Sequence, residues 1–147
     1  MKFFRLFLLF PVLFISSCNI EEVDLNTETK YYTVFSRDWI LLDVPPVSTE
    51  PEDSKWTYYY YDFKESRLTR NMFNYGMMNA YFTDDRDNSI ITPLPYDNYY
   101  ISRRGSVWTE QVTCEFSPGN IRFILKYSDF DVNRAPLNYS FMVRFAW

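Results

Sequence analysis

The chain has 147 residues, 19 Asp and Glu against 15 Lys and Arg, and 21% aromatic side chains. That length suits one ordinary domain. Apart from Arg103-Arg104 the basic residues are scattered singly, so the chain lacks the clustered positive charge of a nucleic-acid footprint. It contains no histidine, which removes the commonest general base, every Ser-His or Cys-His arrangement and the commonest metal ligand.

Lys2 and Arg5 are followed by an apolar run from Leu6 to Ile15, broken only by Pro11, and then by Ser16-Ser17-Cys18. At about 1.5 Å per residue such a run falls well short of a ~30 Å hydrocarbon core, so it reads as a secretory signal rather than a spanning helix. Ile15-Ser16-Ser17-Cys18 has the order aliphatic, small, small, Cys and resembles a bacterial lipobox. The resemblance implies that residues 1–17 are a lipoprotein signal peptide and that Cys18 becomes a lipid-bearing N-terminus. Without residues 1–17, and so without Lys2 and Arg5, the remaining 130 residues carry 13 basic against 19 acidic side chains. Residues 18–30 are polar and aperiodic, as a solvated tether would be. Asn19 follows the cysteine instead of the Asp of an enteric inner-membrane retention signal. Glu21-Glu22 resemble the export signal of surface lipoproteins in the Bacteroidota. An outer-membrane location follows, with the periplasmic and cell-surface faces both open.

Downstream, period-two alternation dominates and predicts strands. Tyr31–Leu42 reads as a first strand with a bulge at Ser36-Arg37. Residues 43–55, with Pro45, Pro46 and Pro51, read as a long exposed loop. Trp56–Phe63 is a strand carrying Tyr58-Tyr59-Tyr60-Tyr61, and Ser66–Asn71 is a polar turn with room for one helical turn. Met72–Thr83 reads as a central strand whose Gly76 marks a bulge or a close backbone approach. Asp84 to Ser89 form the turn that ends it. Pro93 and Pro95 confine Ile90–Ile101 to an edge. In Val107–Phe116, Trp108, Val112, Cys114 and Phe116 share one face, with Thr109, Gln111, Thr113 and Glu115 on the other. Ser117-Pro118-Gly119-Asn120 is a turn in which proline fixes φ and glycine supplies a positive one. Ile121, Phe123, Leu125 and Tyr127 then point inward, as do Phe141, Val143, Phe145 and Trp147 in the last strand.

The pattern predicts an all-β domain over residues 31–147: a single antiparallel, immunoglobulin-like β-sandwich of about seven strands. A small lipocalin-like barrel is the alternative. The lipobox, the Trp39 strand, Tyr75-Gly76-Met77-Met78-Asn79-Ala80-Tyr81, Leu94-Pro95 and Gly119-Asn120-Ile121-Arg122-Phe123 together resemble small exported lipoproteins of the Bacteroidota. That resemblance implies a β-sandwich in the cell envelope and brings no catalytic residues with it.

Few residues promise chemistry. Asp129, Asp131 and Asn133 have the spacing of oxygen ligands in a calcium loop. However, Arg134 stands where glycine makes the loop's sharp turn, and Ser140 where a bidentate Glu belongs. Asp84, Asp85 and Asp87 could serve glycoside hydrolysis only with a distant carboxylate partner. Cys114 reads as a small buried hydrophobe. The tyrosines are the best contact candidates: one pair of Tyr58 to Tyr61 must face out, and Tyr99 and Tyr100 lie on the expected edge. The expectation is therefore a non-catalytic binding or accessory module of the envelope, without cofactor or metal. Its partners would be a membrane through the lipid on Cys18 and an envelope protein or glycan, and no nucleic acid. A carboxylate-dependent glycan hydrolase and a membrane-embedded barrel are the rivals, the latter because Trp147 after an alternating strand resembles the terminal aromatic of outer-membrane barrels.

Overall fold

The computed structural model describes residues 25–44, 56–84 and 87–147. Cys18, the signal segment, most of the proline-rich loop and Asp85 lie outside the described residues. Among the described residues nine strands form two antiparallel sheets, and neither closes into a barrel. The strands are β1 Thr27–Val34, β2 Ile40–Val44, β3 Trp56–Lys64, β4 Met77–Asp84, β5 Asp87–Pro93, β6 Tyr96–Ile101, β7 Val107–Ser117, β8 Asn120–Tyr127 and β9 Tyr139–Ala146. One sheet has the order β1-β9-β4-β5, the other β2-β3-β8-β7-β6. No described helix is long and apolar enough to cross a membrane.

The sheets meet through the inward positions that alternation specifies. Ile121, Phe123, Leu125 and Tyr127 of β8 face Phe141, Val143 and Phe145 of β9, all buried, and Phe123 stacks on Phe141 with ring centroids 3.9 Å apart. Val34, Leu68 and Val112 are also fully buried. A side chain of this size contributes about 1.5–3 kcal/mol when it leaves water, so these residues are the main source of cohesion between the sheets.

Several boundaries differ from the sequence reading. The first strand begins at Thr27, inside the stretch read as tether. Its residues 27–30 pair with Val143 to Ala146 of β9 because Glu28 and Lys30 take inward positions at the sheet margin. Tyr31–Leu42 is not one bulged strand. A 3-10 turn at Ser36–Asp38 carries the chain from one sheet to the other, placing β1 and β2 in different layers. Met72–Thr83 is likewise divided. A short helix, α1 (Arg70–Tyr75), is capped by Thr69, whose hydroxyl accepts a hydrogen bond from the Met72 amide; β4 follows as an interior strand. Gly76 separates the two by close approach, since a Cβ there would lie 2.7 Å from the Met72 carbonyl oxygen. Ile90–Ile101 is two edge strands, one in each sheet, parted at a cis Leu94-Pro95 bond. The Ser117–Asn120 turn forms as read, with Gly119 at φ +79°. Trp147 does not point inward: it follows β9 and is exposed. Met142 and Ile124 are buried on outward faces, Met142 between Tyr31 and Tyr81 and Ile124 between Tyr60 and Thr113, because cross-strand neighbours cover them.

Because β1, β4 and β9 run their full lengths side by side, the sandwich has two distinct ends. One holds Thr27, Met77 and Ala146; the other holds Val34, Thr83 and Tyr139. The first is called the tether end and the second the distal end.

Candidate functional site

At the distal end the two sheets part around a carboxylate. Strict alternation along β7 turns Glu110 inward between Trp108 and Val112, and only 4% of it is exposed. Register places it between Asn98 of β6 and Tyr127 of β8. From the facing sheet, Tyr139 donates its phenol proton to Glu110 Oε1 in a short hydrogen bond, and the Tyr100 hydroxyl stands 3.5 Å from the same oxygen. Asn98 Nδ2 donates to the Tyr100 oxygen at 2.7 Å.

Aromatic rings make the walls. Phe82 and Tyr96 stack nearly parallel across the gap between the sheets, with centroids 5.3 Å apart, and Tyr100 stacks on Trp108 at the same spacing. The rim is pinned by the crossover turn: the Ser36 amide donates to Asn138 Oδ1 at 2.7 Å, and Trp39 Nε1 donates to the Leu137 carbonyl at 3.1 Å. The result is a cleft of about 390 Å³, with Glu110 at its floor and Asp84, Leu137 and Asn138 at its mouth. Behind it the Arg134 guanidinium lies over the Trp108 and Tyr127 rings, 4.2 and 4.8 Å from their centroids.

The electrostatics follow from burial. Desolvation raises the Glu110 carboxyl above its ordinary range. The hydrogen bonds from Tyr139 and Tyr100 and the charge of Arg134 oppose that shift without cancelling it. Burial and the neighbouring Glu110 also raise Tyr139 and Tyr100, so both phenols stay protonated as donors. A second buried carboxylate, Glu65 near the tether end, is the opposite case. Burial alone would raise it, but Lys30 Nζ reaches both its oxygens at 2.8 and 2.9 Å, Tyr32 donates at 2.6 Å and the Arg67 amide at 2.9 Å, and together they lower it.

The tyrosines singled out from sequence do not converge. Tyr58 and Tyr60 face outward on β3, where Lys126 lies 5.7 Å from the Tyr58 ring and Arg122 lies 4.6 Å over Tyr60. Arg122 is held in turn by two hydrogen bonds to Asp62. Tyr59 is buried and donates to the Val132 carbonyl at 2.8 Å, while Tyr61 packs inward against Phe63. Tyr99 is exposed on β6, three strands from β3, or about 14 Å at ~4.8 Å per strand. Only Tyr100 enters the cleft. Asp84 reaches its mouth; Asp85 lies outside the described residues, as does the side chain of Asp87. Asp129 and Asp131 turn toward a guanidinium: Arg134 donates to both Asp129 oxygens at 3.0 and 2.9 Å and lies 3.5 Å from Asp131. The Asn133 amide bonds Asp131 Oδ1. Among the described residues no group of three or more His, Cys, Asp or Glu is arranged to hold a metal. Cys114 points inward and half-buried, and burial pushes its thiol up to about 12.

Sequence reasoning missed Glu110, Tyr139, Asn98 and Phe82. The signal was present for Glu110, a charged residue standing at an inward position of an alternating strand. No family model, curated protein or solved structure matches the chain.

Proposed function

We propose that the chain is a lipid-anchored, non-catalytic binding module of the outer membrane, and that its distal cleft takes a short stretch of uncharged glycan. The observation that carries this reading is the buried Glu110 at the floor of an aromatic-walled cleft. Ring faces offer apolar contact to the carbon skeleton of a sugar, Asn98 and Asn138 supply acceptors and donors for hydroxyl groups, and the buried Glu110 orients the Tyr100 hydroxyl from below. The cleft's two charged lining residues, Asp84 and Glu110, are both acidic, which disfavours an anionic ligand. A volume of about 390 Å³ lies at the small end of the range for ligand sites.

One observation favours a second reading, hydrolysis. Asp84 and Glu110 line the same cleft, so Glu110 is the distant partner that the Asp84 cluster needed, and a carboxyl held above its ordinary range suits a general acid. Burial decides against it. An acid must reach the bond it protonates, whereas Glu110 is 4% exposed and engaged by the phenols of Tyr139, Tyr100 and Tyr127.

The test is calorimetric titration of the protein with neutral and acidic oligosaccharides, with reducing-end release measured in parallel. Tyr100→Ala should weaken neutral-sugar binding at least tenfold, and Glu110→Gln should change it by only a few-fold. Sugar release by the wild type that Glu110→Gln abolishes would establish hydrolysis. Equal binding by wild type and Tyr100→Ala would remove the cleft as the site.

A further inference from the structure

We infer that the tether end of the sandwich rests directly on the lipid bilayer, with Trp147, Tyr75, Phe73, Met77 and Leu25 seated among the headgroups. This inference rests on the reading of Cys18 as the lipidated residue. Two features of the molecule point to it, and a third sets how the contact should respond to salt.

The first is composition. Of the fifteen exposed large apolar side chains among the described residues, five lie at this end, three of them aromatic. Tyr75 is 82% exposed, Met77 61%, Leu25 56%, and Trp147 and Phe73 are also exposed. The topology joins them. Trp147 exchanges both backbone hydrogen bonds with Asn26, at 3.0 and 3.1 Å, and Ala146 lies between Thr27 and Met77 in the sheet. Trp147 and Tyr75 also wall a groove of about 420 Å³ beside α1. Tryptophan and tyrosine are the residues enriched where hydrocarbon meets headgroup, because each has an apolar body and a polar edge.

The second is reach. Seven residue steps separate Cys18 from Leu25, which at full extension span at most about 25 Å. A lipid on Cys18 would therefore hold this end within about 25 Å of the membrane.

The third is charge. Glu21, Glu22 and Asp24 stand in that short connection, so attraction to anionic lipid would be opposed. Contact through rings and methionine needs no such attraction and should be insensitive to salt.

The arrangement also gives the cleft an orientation. Tyr139 and Ala146 are seven steps apart on β9, about 24 Å at ~3.4 Å per residue. An end-on stance thus holds the Glu110 cleft roughly that far above the headgroups and facing away from them.

The experiment uses the full-length lipidated protein in phosphatidylcholine vesicles whose acyl chains are brominated close to the carbonyl. The chain has four tryptophans, so contact by Trp147 should quench up to about a quarter of the emission. Trp147→Phe should reduce the quench to background, and 0.5 M salt should leave it unchanged. Tyr75→Ser with Met77→Ser, both at exposed positions, should at least halve the quench while the protein still floats with the vesicles. Wild-type protein that does not float refutes the lipid anchor itself. Protein that floats without quench attributable to Trp147 refutes the inference alone. So does a detergent-solubilised dimer that Trp147→Ser dissociates, because a second copy would then be the occupant.

Discussion

Glu110 gives the sharpest test of how the distal end is built. Its carboxyl is raised above the ordinary value of 4.5, chiefly by burial. The folded protein therefore holds this proton to a higher pH than the unfolded chain does. The resulting contribution to stability is complete below about pH 4 and is lost as pH rises through the folded-state pKa. Glu110→Gln keeps an acceptor for Tyr139 but cannot ionise. The two proteins should unfold at similar urea concentrations at pH 4, and the Gln variant should be the more stable at pH 7.5, with the gap opening between.

Glu110→Ala asks a different question. It removes the acceptor of the Tyr139 phenol, itself buried, and withdraws a partner from Tyr100. An unsatisfied buried donor costs about 1–3 kcal/mol, and the emptied volume adds to that. A total of about 2–4 kcal/mol should lower Tm on the order of 10 °C in a domain of this size. Urea and thermal unfolding across pH 4–8 read both effects. If the wild type instead gains on the Gln variant as pH rises, the ionised carboxylate is the form the fold favours, through Arg134, and the burial argument is wrong. If the Ala variant loses less than about 0.5 kcal/mol, the Tyr139–Glu110 bond contributes nothing to stability.

Further outcomes follow from the same geometry. Cys18→Ala should abolish fatty-acid labelling and lipoprotein-type cleavage, and labelling that persists would overturn the lipobox. A chain beginning at Leu25 should fold without detergent as a monomer. One beginning at Tyr31 should be markedly less stable by urea titration, because it loses half of β1 and the Lys30 partner of Glu65; equal stability would mean that residues 27–30 do not pair in solution. Native Cys114 should react with a thiol reagent at pH 7.5 at least ~100-fold more slowly than in urea, given a thiol at about 12; rapid native labelling would refute its inward placement. Tyr58→Ser with Tyr60→Ser should cost about 1–2 kcal/mol, the worth of the Arg122 and Lys126 stacking, and leave cleft affinity unchanged. Loss of glycan binding would move the site to that sheet face.

Much of the core was legible because β7, β8 and β9 alternate, and, Glu110 apart, their inward residues are apolar or aromatic and meet across the sandwich. Prolines marked edges for a reason that holds everywhere: they lack the donor a central strand needs. What stayed hidden was anything set by the partner strand rather than by the strand itself. Met142 and Ile124 are buried by neighbours on both sides, which one strand's periodicity cannot report. The break at Ser36-Arg37 read as a bulge within one strand, since nothing local announces a change of sheet. The cleft was invisible for a stronger reason. Phe82, Tyr96, Tyr100, Glu110 and Tyr139 come from four strands in two sheets, and no spacing along the chain brings them together.

The two buried carboxylates differ in how the fold meets their charge. Glu65 meets a cation, a phenol and an amide, so its charge is compensated where it lies and its own folded pKa falls. Its contribution to stability is present above about pH 4.5 and is lost as pH falls through that lowered value. Lys30→Met should consequently destabilise the protein at pH 7, and by progressively less as pH falls through the lowered folded-state value. Glu110 is as deeply buried, yet its hydrogen-bond partners are phenols, and the guanidinium of Arg134 that acts on it is stacked over a tryptophan and engaged by Asp129. A fold gains nothing in stability at neutral pH by keeping such a group ionised. An acid retained at that cost, at the floor of a cleft walled by four rings, is the feature on which the proposed binding role rests.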